Sequence, residues 1–487
     1  MKMAPVVSLI RHSAHNLASR NPDAKSRRRI TMATSGTVAS AIVACALSMT
    51  TVAGPQALAH ERLNAPVLRQ EGWLVKSYSE IANPISSASL RNEFIELKAI
   101  VAKRSPEDIE RFRWWTTGGP AYRWNEIILD EIQASFVTLP LAARHLALYH
   151  AALDDALAVA SSYRMDKKRS DTELDAALKF AGKSSLATLS PSGHAAVSAA
   201  AAEVLGYLFP ERAALFARKA EEATQARLLA GVEYPQEVAA GRKIGLEVAK
   251  LAIARGKADR SGTKWSGVVP EGQDKWKGSN PIAPLAGTWQ TWVLTHGGEV
   301  RPSRPPAVDS DQMKEALNEL KTFARSPKTN HRATYWEVHG GARAHTHWNE
   351  VARAKLLEAG MSGQTTARTL AALNIALADA GTACWDAKYT FWYIRPPQLD
   401  GELKPLFAPP NHPSYPAAHG CYSTAAATFL ASVFQSDRDR LMALGNEAAE
   451  ARVWAGIHYR FDVEAGREIG RKVAQKTVER AFISRTH

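Results

Sequence analysis

The chain has 487 residues, 45% hydrophobic and 22% charged, with a formal net charge of +13. That length is too great for a single hydrophobic core and implies two or more domains; the composition is that of a globular protein and excludes a fibrous or disordered chain. Part of the positive charge lies in the basic N-terminus, the rest reads as a solvated surface or an anion site, and the absence of zinc-finger or RNA-binding signatures argues against nucleic acid as a partner.

Residues 1–59 read as an export signal. Lys25, Arg27, Arg28 and Arg29 form a charged region, a mildly apolar stretch runs from about Val38 to Ala53, and Ala57-Leu58-Ala59 gives a small-x-small cleavage pattern before His60. Ser26-Arg27-Arg28 is a partial match to the twin-arginine route. Ile42-Val43-Ala44-Cys45 resembles a lipoprotein box, but the apolar run continues past Cys45, which favours the Ala-Leu-Ala site. No later run is long enough to span a bilayer. The expectation is a chain without a transmembrane anchor, exported to the periplasm or secreted. Cleavage after Ala59 leaves Cys384 and Cys421. Two cysteines make no disulfide framework; they read best as buried small hydrophobes, with a single bridge as the other reading.

Residues 60–112 are expected to add a helix or two. Beyond them, runs such as His194 to Phe209 and Arg368 to Ile394 are rich in alanine and leucine, with apolar residues recurring at three and four. That period favours helices, and no sustained alternation marks a strand, so the fold is expected to be all-α and built from helix bundles. The chain also repeats itself. QARLLAGVEYPQEVAAGRKIGLEVAK, with Arg227, Glu233 and Glu237, aligns without a gap on EARVWAGIHYRFDVEAGREIGRKVAQ, with Arg452, His458 and Asp462, and about half the positions agree. His194 in PSGH precedes Arg227 by 33 residues, as His419 in PAAH precedes Arg452. RWNE from Arg123 answers HWNE from His347, and AALDDALAVA answers AALNIALADA. These matches predict an internal duplication: a first helix bundle over 113–255 and a second over 333–487. Residues 256–332 form a crossover rich in Trp, Pro and Gly, whose Trp265, Trp276, Trp289 and Trp292 favour burial over a floppy linker.

The second unit holds the chemistry. Lys388 and Arg395 are seven apart, two helical turns, which puts both cations on one helix face before Pro396 and Pro397 end the helix. The Pro-rich run APPNHPSYPAAHG then leads into a helix starting near Ala417, whose free N–H groups and positive dipole end suit an anion. His419 sits in that first turn. Asp462 lies four residues after His458, a helical spacing that lets the carboxylate hold Nδ1–H and leaves Nε2 free to attack. Arg452 and His458, six apart, do not share a face of a straight helix, and Gly456 is the candidate break. Singly, each of these is a common surface cation or structural histidine. Together they form a six-part ordered pattern suited to a tetrahedral oxyanion, with one histidine as nucleophile and the other trading a proton.

These residues resemble the superfamily shared by vanadium-dependent haloperoxidases and the type-2 phosphatidic-acid and class A acid phosphatases. Its pattern, Lys-x6-Arg-Pro, Pro-Ser-Gly-His, Ser-Arg-x5-His-x3-Asp, runs here through Lys388, Arg395, Pro396, Pro416 to His419, Arg452, His458 and Asp462. Bacterial haloperoxidase-like proteins look most similar, through HWNEVA, AALNIALADAGTACWDAKY, NHPSYP and AGIHYRFDVEAG. The resemblance implies that His458 binds vanadate through Nε2, or is phosphorylated in a phosphatase. It implies that Lys388, Arg395, Arg452 and the Ala418 N–H hold the remaining oxygens, and that His419 is the acid/base. His412 stands seven residues before His419, where bromoperoxidases resemble this chain, which favours bromide or iodide. The implied partners are hydrogen peroxide, a halide and a small organic acceptor, with a homo-oligomer left open.

Two departures stand out. Ala417 replaces the family serine, removing a hydroxyl bond worth roughly 1–3 kcal/mol to a charged partner. The first copy keeps Ser192, Gly193, His194, Arg227 and a Lys168 that matches Lys388, but it lacks an Arg-Pro pair and has Glu233 where the nucleophile would be. It is expected to be a degenerate structural bundle. Three readings follow: a vanadate-dependent haloperoxidase, an exported acid phosphatase with a phosphohistidine intermediate on the same scaffold, and a non-catalytic anion-binding protein.

Overall fold

Alanine-rich faces and glycines at helix crossings let backbones approach closely, and the chain is helical almost throughout. A computed structural model describes residues 65–85, 90–163, 190–339 and 343–483. The expected export segment 1–59 and Lys168 lie outside the described residues. The helices, in chain order, are α1 (Leu90–Val101), α2 (Pro106–Thr116), α3 (Tyr122–Ala134), α4 (Leu139–Ser162), α5 (Gly193–Leu208), α6 (Ala213–Ala230) and α7 (Pro235–Ala258). After a long irregular stretch come α8 (Asp311–Thr322), α9 (Pro327–Val338), α10 (Arg343–Glu358), α11 (Gly363–Phe391), α12 (Pro396–Leu399), α13 (Ala418–Val433), α14 (Arg438–Trp454) and α15 (Arg460–Ala481). Among the described residues the one sheet is a short antiparallel pair, β1 (Val67–Leu68) and β2 (Phe482–Ile483), with Val67 opposite Ile483. No described helix is long and apolar enough to cross a membrane.

Two large cores form. One gathers α3 to α7 around residues such as Trp124, Leu153, Val204 and Ile244; the other gathers α10, α11, α13, α14 and α15 around Trp348, Leu373, Phe429 and Ile469. The long helices α4 and α11 pack on each other and join the two. In each group one crossing is set by glycine. A Cβ on Gly241 or Gly245 of α7 would stand 2.2 or 2.1 Å from the carbonyl oxygens of Ser192 and Ala196. On α15, a Cβ on Gly466 or Gly470 would stand 2.5 or 2.7 Å from those of Ala417 and Cys421. These are contacts only a residue without a side chain permits. They bring the first turn of α15 against the first turn of α13, where Asp462 and His419 lie.

Polar contacts recur in the two groups. Trp124 Nε1 donates to Ser198 Oγ at 3.1 Å, and Trp348 Nε1 to Ser423 Oγ at 3.2 Å. Asp155 accepts the backbone N–H groups of Trp73, Leu74 and Val75; Asp379 accepts those of Trp292, Val293 and Leu294. Between the groups, buried Asn125 donates to Asn349 Oδ1 at 2.8 Å, and Asn349 donates to Asn374 Oδ1 at 2.9 Å. Trp292 packs against both cores, with the Arg255 guanidinium 3.7 Å from its ring centre. The tryptophans of the irregular stretch are thus used as anchors: Trp276 is buried, and Trp265, Trp289 and Trp292 are partly so.

One helix boundary differs from the spacing argument. α11 stops at Phe391, and Trp392 caps it in the left-handed conformation at φ 51°. Arg395 therefore does not share a helix with Lys388; it is the N-cap of α12, and Pro396 and Pro397 begin that helix instead of ending the previous one. Proline suits a first turn, where its missing N–H costs nothing.

Burial pushes the Asp155 and Asp379 carboxyls up, each to about 6, against the pull of the backbone N–H donors. A carboxyl held above its free value of 3.8 costs the fold stability as pH rises from about 4 through about 6. Asp379→Asn leaves one oxygen for three N–H groups, so it is expected to lose about 1–3 kcal/mol in urea unfolding at neutral pH. The same variant should lose the fall in stability that Asp379 contributes between pH 4 and 6.

Candidate active site

The segment from Pro409 to Ala417 wraps two buried cations with its carbonyls. Lys388, in the last turn of α11, is fully buried and donates to Pro413 O at 2.8 Å, Ser414 O at 3.0 Å and also to Pro416 O. Arg395 donates to His412 O through Nε and Nη2 at 3.1 and 3.0 Å. Its Nη1 reaches Ile457 O and His458 Nε2, both at 3.0 Å. The Tyr415–Pro416 peptide is cis.

Arg452 closes α14, and the left-handed Gly456 at φ 74° turns the chain between α14 and α15. His458 lies in this turn, two residues ahead of α15. The four-residue spacing still delivers the pair, because Asp462 folds back as the third residue of the helix: its Oδ2 is 2.8 Å from His458 Nδ1 and accepts the Tyr459 N–H at 3.2 Å. Ser414 Oγ donates to the same oxygen at 2.5 Å. With Nδ1–H given to the carboxylate, His458 Nε2 carries the lone pair and takes the Arg395 N–H. His419, in the first turn of α13, donates from Nε2 to Trp336 O at 3.0 Å. Arg452 Nη2 pairs with Glu337 Oε2 at 2.6 Å.

Electrostatics follow from this packing. Burial, and then Arg395, Lys388 and Arg452, hold His458 well below the usual imidazole range, so it is neutral. Burial and Arg452 do the same to His419, and burial and Lys388 to His412. Burial lowers Arg395 to about 9 and raises Asp462 to about 7, the latter against Ser414, Lys388 and Arg395. Burial and Arg395 push Lys388 well below its usual range, and the three buried basic side chains face buried Asp462 and Glu337, whose side chain is 40% exposed. Buried basic groups arranged in this way suit an anion, whose charge would favour their protonated forms.

A cavity of about 230 Å³ opens on this cluster, lined by His412, Ala418, His419, Arg452, His458 and Glu337 among others. Lys388 and Arg395 do not line it; Arg395 communicates with it through His458 Nε2. Ala417, the N-cap of α13, has no hydroxyl to offer, so no side chain caps the first-turn N–H groups. A neutral imidazole nitrogen, an uncapped helix N-terminus and a buried guanidinium fit a tetrahedral oxyanion.

The two cysteines are paired. Their favoured reading as separate small hydrophobes gives way to a Cys384–Cys421 disulfide, formed because α11 and α13 cross with these Cα atoms 6.2 Å apart. It staples α11 one turn before Lys388 to α13 two residues after His419. Spacing missed three further contributors: Glu337, Ser414 and the turn Val137–Leu139 that walls the cavity. Ser414 stands within the Pro-rich run, but nothing in the motif set pointed to the other two.

The candidate residues of the N-terminal helix group stay with their own helices. Ser192 Oγ caps α5 by accepting the Ala195 N–H at 3.0 Å. Arg227 pairs with Glu233 at 3.0 Å, and Glu237 accepts the N–H groups of Ser190 and Tyr234 at 3.0 and 2.8 Å. Burial and Arg227 hold His194 well below its usual range.

Residues 369–478, which carry Lys388 through Asp462, match the PAP2 superfamily. The fold is also that of bacterial vanadium-dependent haloperoxidases. The structure of the first bacterial vanadium-dependent iodoperoxidase superposes with a TM-score of 0.58 at 20% identity, over 75% of this chain and 98% of that one. The holo form of a bacterial vanadium-dependent chloroperoxidase gives 0.54 at 15% identity, over 70% and 91%, and an apo form gives 0.53 at 14%, over 70% and 92%. No curated protein matches the chain.

The disulfide closes a loop of 37 residues between two elements of the site. Replacing both cysteines by serine is expected to cost about 3–4 kcal/mol through the freed unfolded chain. Urea unfolding of the variant against the oxidised parent measures this.

Proposed function

We propose that the chain is an exported vanadate-dependent haloperoxidase that oxidises bromide or iodide with hydrogen peroxide to hypohalous acid. The observation that carries this reading is the cluster of buried basic side chains around a neutral His458 that lines the cavity. Asp462 holds the imidazole tautomer, so that Nε2 is the atom presented to an oxyanion. Arg452 and the Ala418 N–H bind its oxygens from the cavity side. Arg395, 3.0 Å from Nε2, turns its Nη1 from the imidazole to the anion, and Lys388 supplies charge from behind. Vanadate, when bound, activates hydrogen peroxide toward halide as a Lewis acid without changing oxidation state. His419, whose Nε2 lies 3.0 Å from Trp336 O and 3.3 Å from Arg452 Nη1, lines the cavity and would exchange the proton of peroxide and of hypohalous acid. The favoured halide rests on His412, whose ring lines the cavity.

The same donors support a second reading, an acid phosphatase in which His458 Nε2 attacks phosphorus and His419 protonates the leaving oxygen. The superfamily match over 369–478 favours it as much as it favours the first. The likeness to haloperoxidase structures over three quarters of the chain favours the peroxidase. The cavity chemistry makes a purely non-catalytic anion binder the least favoured reading. Export accords with the Cys384–Cys421 bridge, which belongs to an oxidising compartment.

The organisation is part of the proposal. Residues 113–255 and 333–487 are read as duplicated units, supported by the paired Trp–Ser, Asp–backbone and glycine contacts. Residues 60–112 are an added extension and 256–332 the crossover. The N-terminal unit is degenerate, since Glu233 occupies Arg227 in place of an external anion.

The test is oxidation of bromide and iodide by the mature chain with hydrogen peroxide, with and without orthovanadate. Vanadate-dependent turnover is expected, and vanadate-inhibited hydrolysis of p-nitrophenyl phosphate without halide oxidation would favour the phosphatase. His458→Ala should abolish either activity, and residual turnover above about 1% of the parent would sink the assignment of the nucleophile. Glu233→Ala should leave kcat within about twofold, a change below 0.5 kcal/mol in the barrier.

A further inference from the structure

The Cys384–Cys421 bridge joins the two helices that carry Lys388 and His419, and both cysteines are fully buried. Cys384 stands one turn before Lys388, on the same side of α11. Its Sγ lies 4.0 Å from Pro416 O, the carbonyl to which Lys388 Nζ also donates. Cys421 belongs to the first turn of α13, whose Ala418 and His419 line the cavity. Where it meets α15, Cys421 has no room to give: a Cβ on Gly466 would stand 3.1 Å from its N, and one on Gly470 2.7 Å from its O. Two thiols need more space than one bridge, because bonded sulfurs sit closer than van der Waals contact. In a close-packed interior that space is found only by moving a neighbour. With α13 held on α15, the movement falls on the end of α11 and on Lys388.

We propose that the bridge is a redox latch on the site: with Cys384 and Cys421 joined the pocket holds an oxyanion, and with both as thiols it holds one only weakly. The inference rests on the oxyanion reading of this pocket, which the haloperoxidase and the phosphatase readings share. A chain in a reducing compartment carries the thiols and is without its anion; in an oxidising compartment the latch closes. Closing it takes two electrons from the sulfurs, and hydrogen peroxide, the oxidant of the proposed reaction, accepts them. Trp385 and His419, close to the two cysteines in sequence, line the cavity that peroxide enters. One thiolate attacks a peroxide oxygen, the O–O bond breaks, and hydroxide leaves as water with the thiol proton. The sulfenic acid that remains is attacked by the second sulfur, the sulfur–sulfur bond forms, and its oxygen leaves as a second water. Two thiols are oxidised and one peroxide is reduced.

The experiment is calorimetric titration of the full mature chain, oxidised and after reduction and desalting, with inorganic phosphate as the probe because thiols do not reduce it. Thermal unfolding of each form verifies the fold at the titration temperature, and thiol counting verifies the redox state. One phosphate per oxidised chain is expected, with tenfold or greater weakening on reduction and recovery after one equivalent of hydrogen peroxide. The Cys384→Ser/Cys421→Ser variant should bind as weakly as the reduced chain and respond to neither reagent. Asp379→Asn, destabilised but still bridged, should bind like the oxidised parent. Equal affinity in the oxidised and reduced chains, a reduced chain that is unfolded, or equal weakening by Asp379→Asn would overturn the latch. No phosphate binding by the oxidised chain would overturn the oxyanion reading and the latch with it. Bromide oxidation by the oxidised chain with orthovanadate is run in parallel. Its absence alongside bridge-dependent phosphate binding would overturn the haloperoxidase reading and support the latch; its presence with bridge-independent binding would do the reverse.

Discussion

Asp462 ties three segments of the C-terminal site to one buried residue. One carboxylate oxygen accepts from His458 Nδ1, from the Ser414 hydroxyl and from the Tyr459 N–H, and the Asp462 carbonyl accepts the N–H of Ala417. The turn before α15, the Pro-rich segment and the N-terminus of α13 are thereby fixed to one buried side chain. The identity of the free nitrogen on His458 follows from this, since an acceptor at Nδ1–H leaves Nε2 with its lone pair. The charge balance follows too. Burial raises Asp462 and lowers Lys388 and Arg395, so each charge is costly alone, and a bound oxyanion would favour the protonated forms of the two bases.

Asp462 can do this only because α15 lies almost in contact with α13. Gly466 and Gly470 set that approach, and the disulfide from Cys421 to Cys384 ties the same helix to the end of α11 that bears Lys388. The rigidity of the site is therefore a property of the helix crossings. Side chains within a few ångströms of one another but far apart in sequence are held by backbone contacts that tolerate no added methyl group.

Much of this was legible in the sequence. Helical periodicity carried the all-helical architecture, because alanine-rich amphipathic runs have no competing strand pattern. The ordered run from Lys388 to Asp462 carried the cluster, because its residues sit at or beside helix ends, which turn chemistry marks. Where spacing was read as a continuous helix it misled. Lys388 and Arg395 converge although Trp392 breaks the helix between them, and His458 meets Asp462 from outside α15. Their proximity is tertiary, enforced by the carbonyls of residues 412 to 416, and a seven-residue interval cannot express that. Glu337, Val137 and Leu139 were invisible for a related reason. Each reaches the cavity from a helix end remote in sequence, and nothing in the local pattern at those positions differs from an ordinary surface or core residue.

The loss of serine at Ala417 takes a different meaning in this setting. In the N-terminal helix group Ser192 caps α5, and Glu233 neutralises Arg227, so the protein itself supplies the hydroxyl and the carboxylate. In the C-terminal group the corresponding helix has no side-chain cap, and the residue at the Glu233 position is a neutral imidazole. Removing the hydroxyl takes one donor from a bound anion, but it also leaves the first-turn N–H groups of α13 with no internal acceptor. An oxyanion would then be the cap as well as the counter-ion. The two groups thus differ at one position, with Glu233 on Arg227 in one and the neutral His458 in the other, where Arg452 pairs instead with Glu337 from α9.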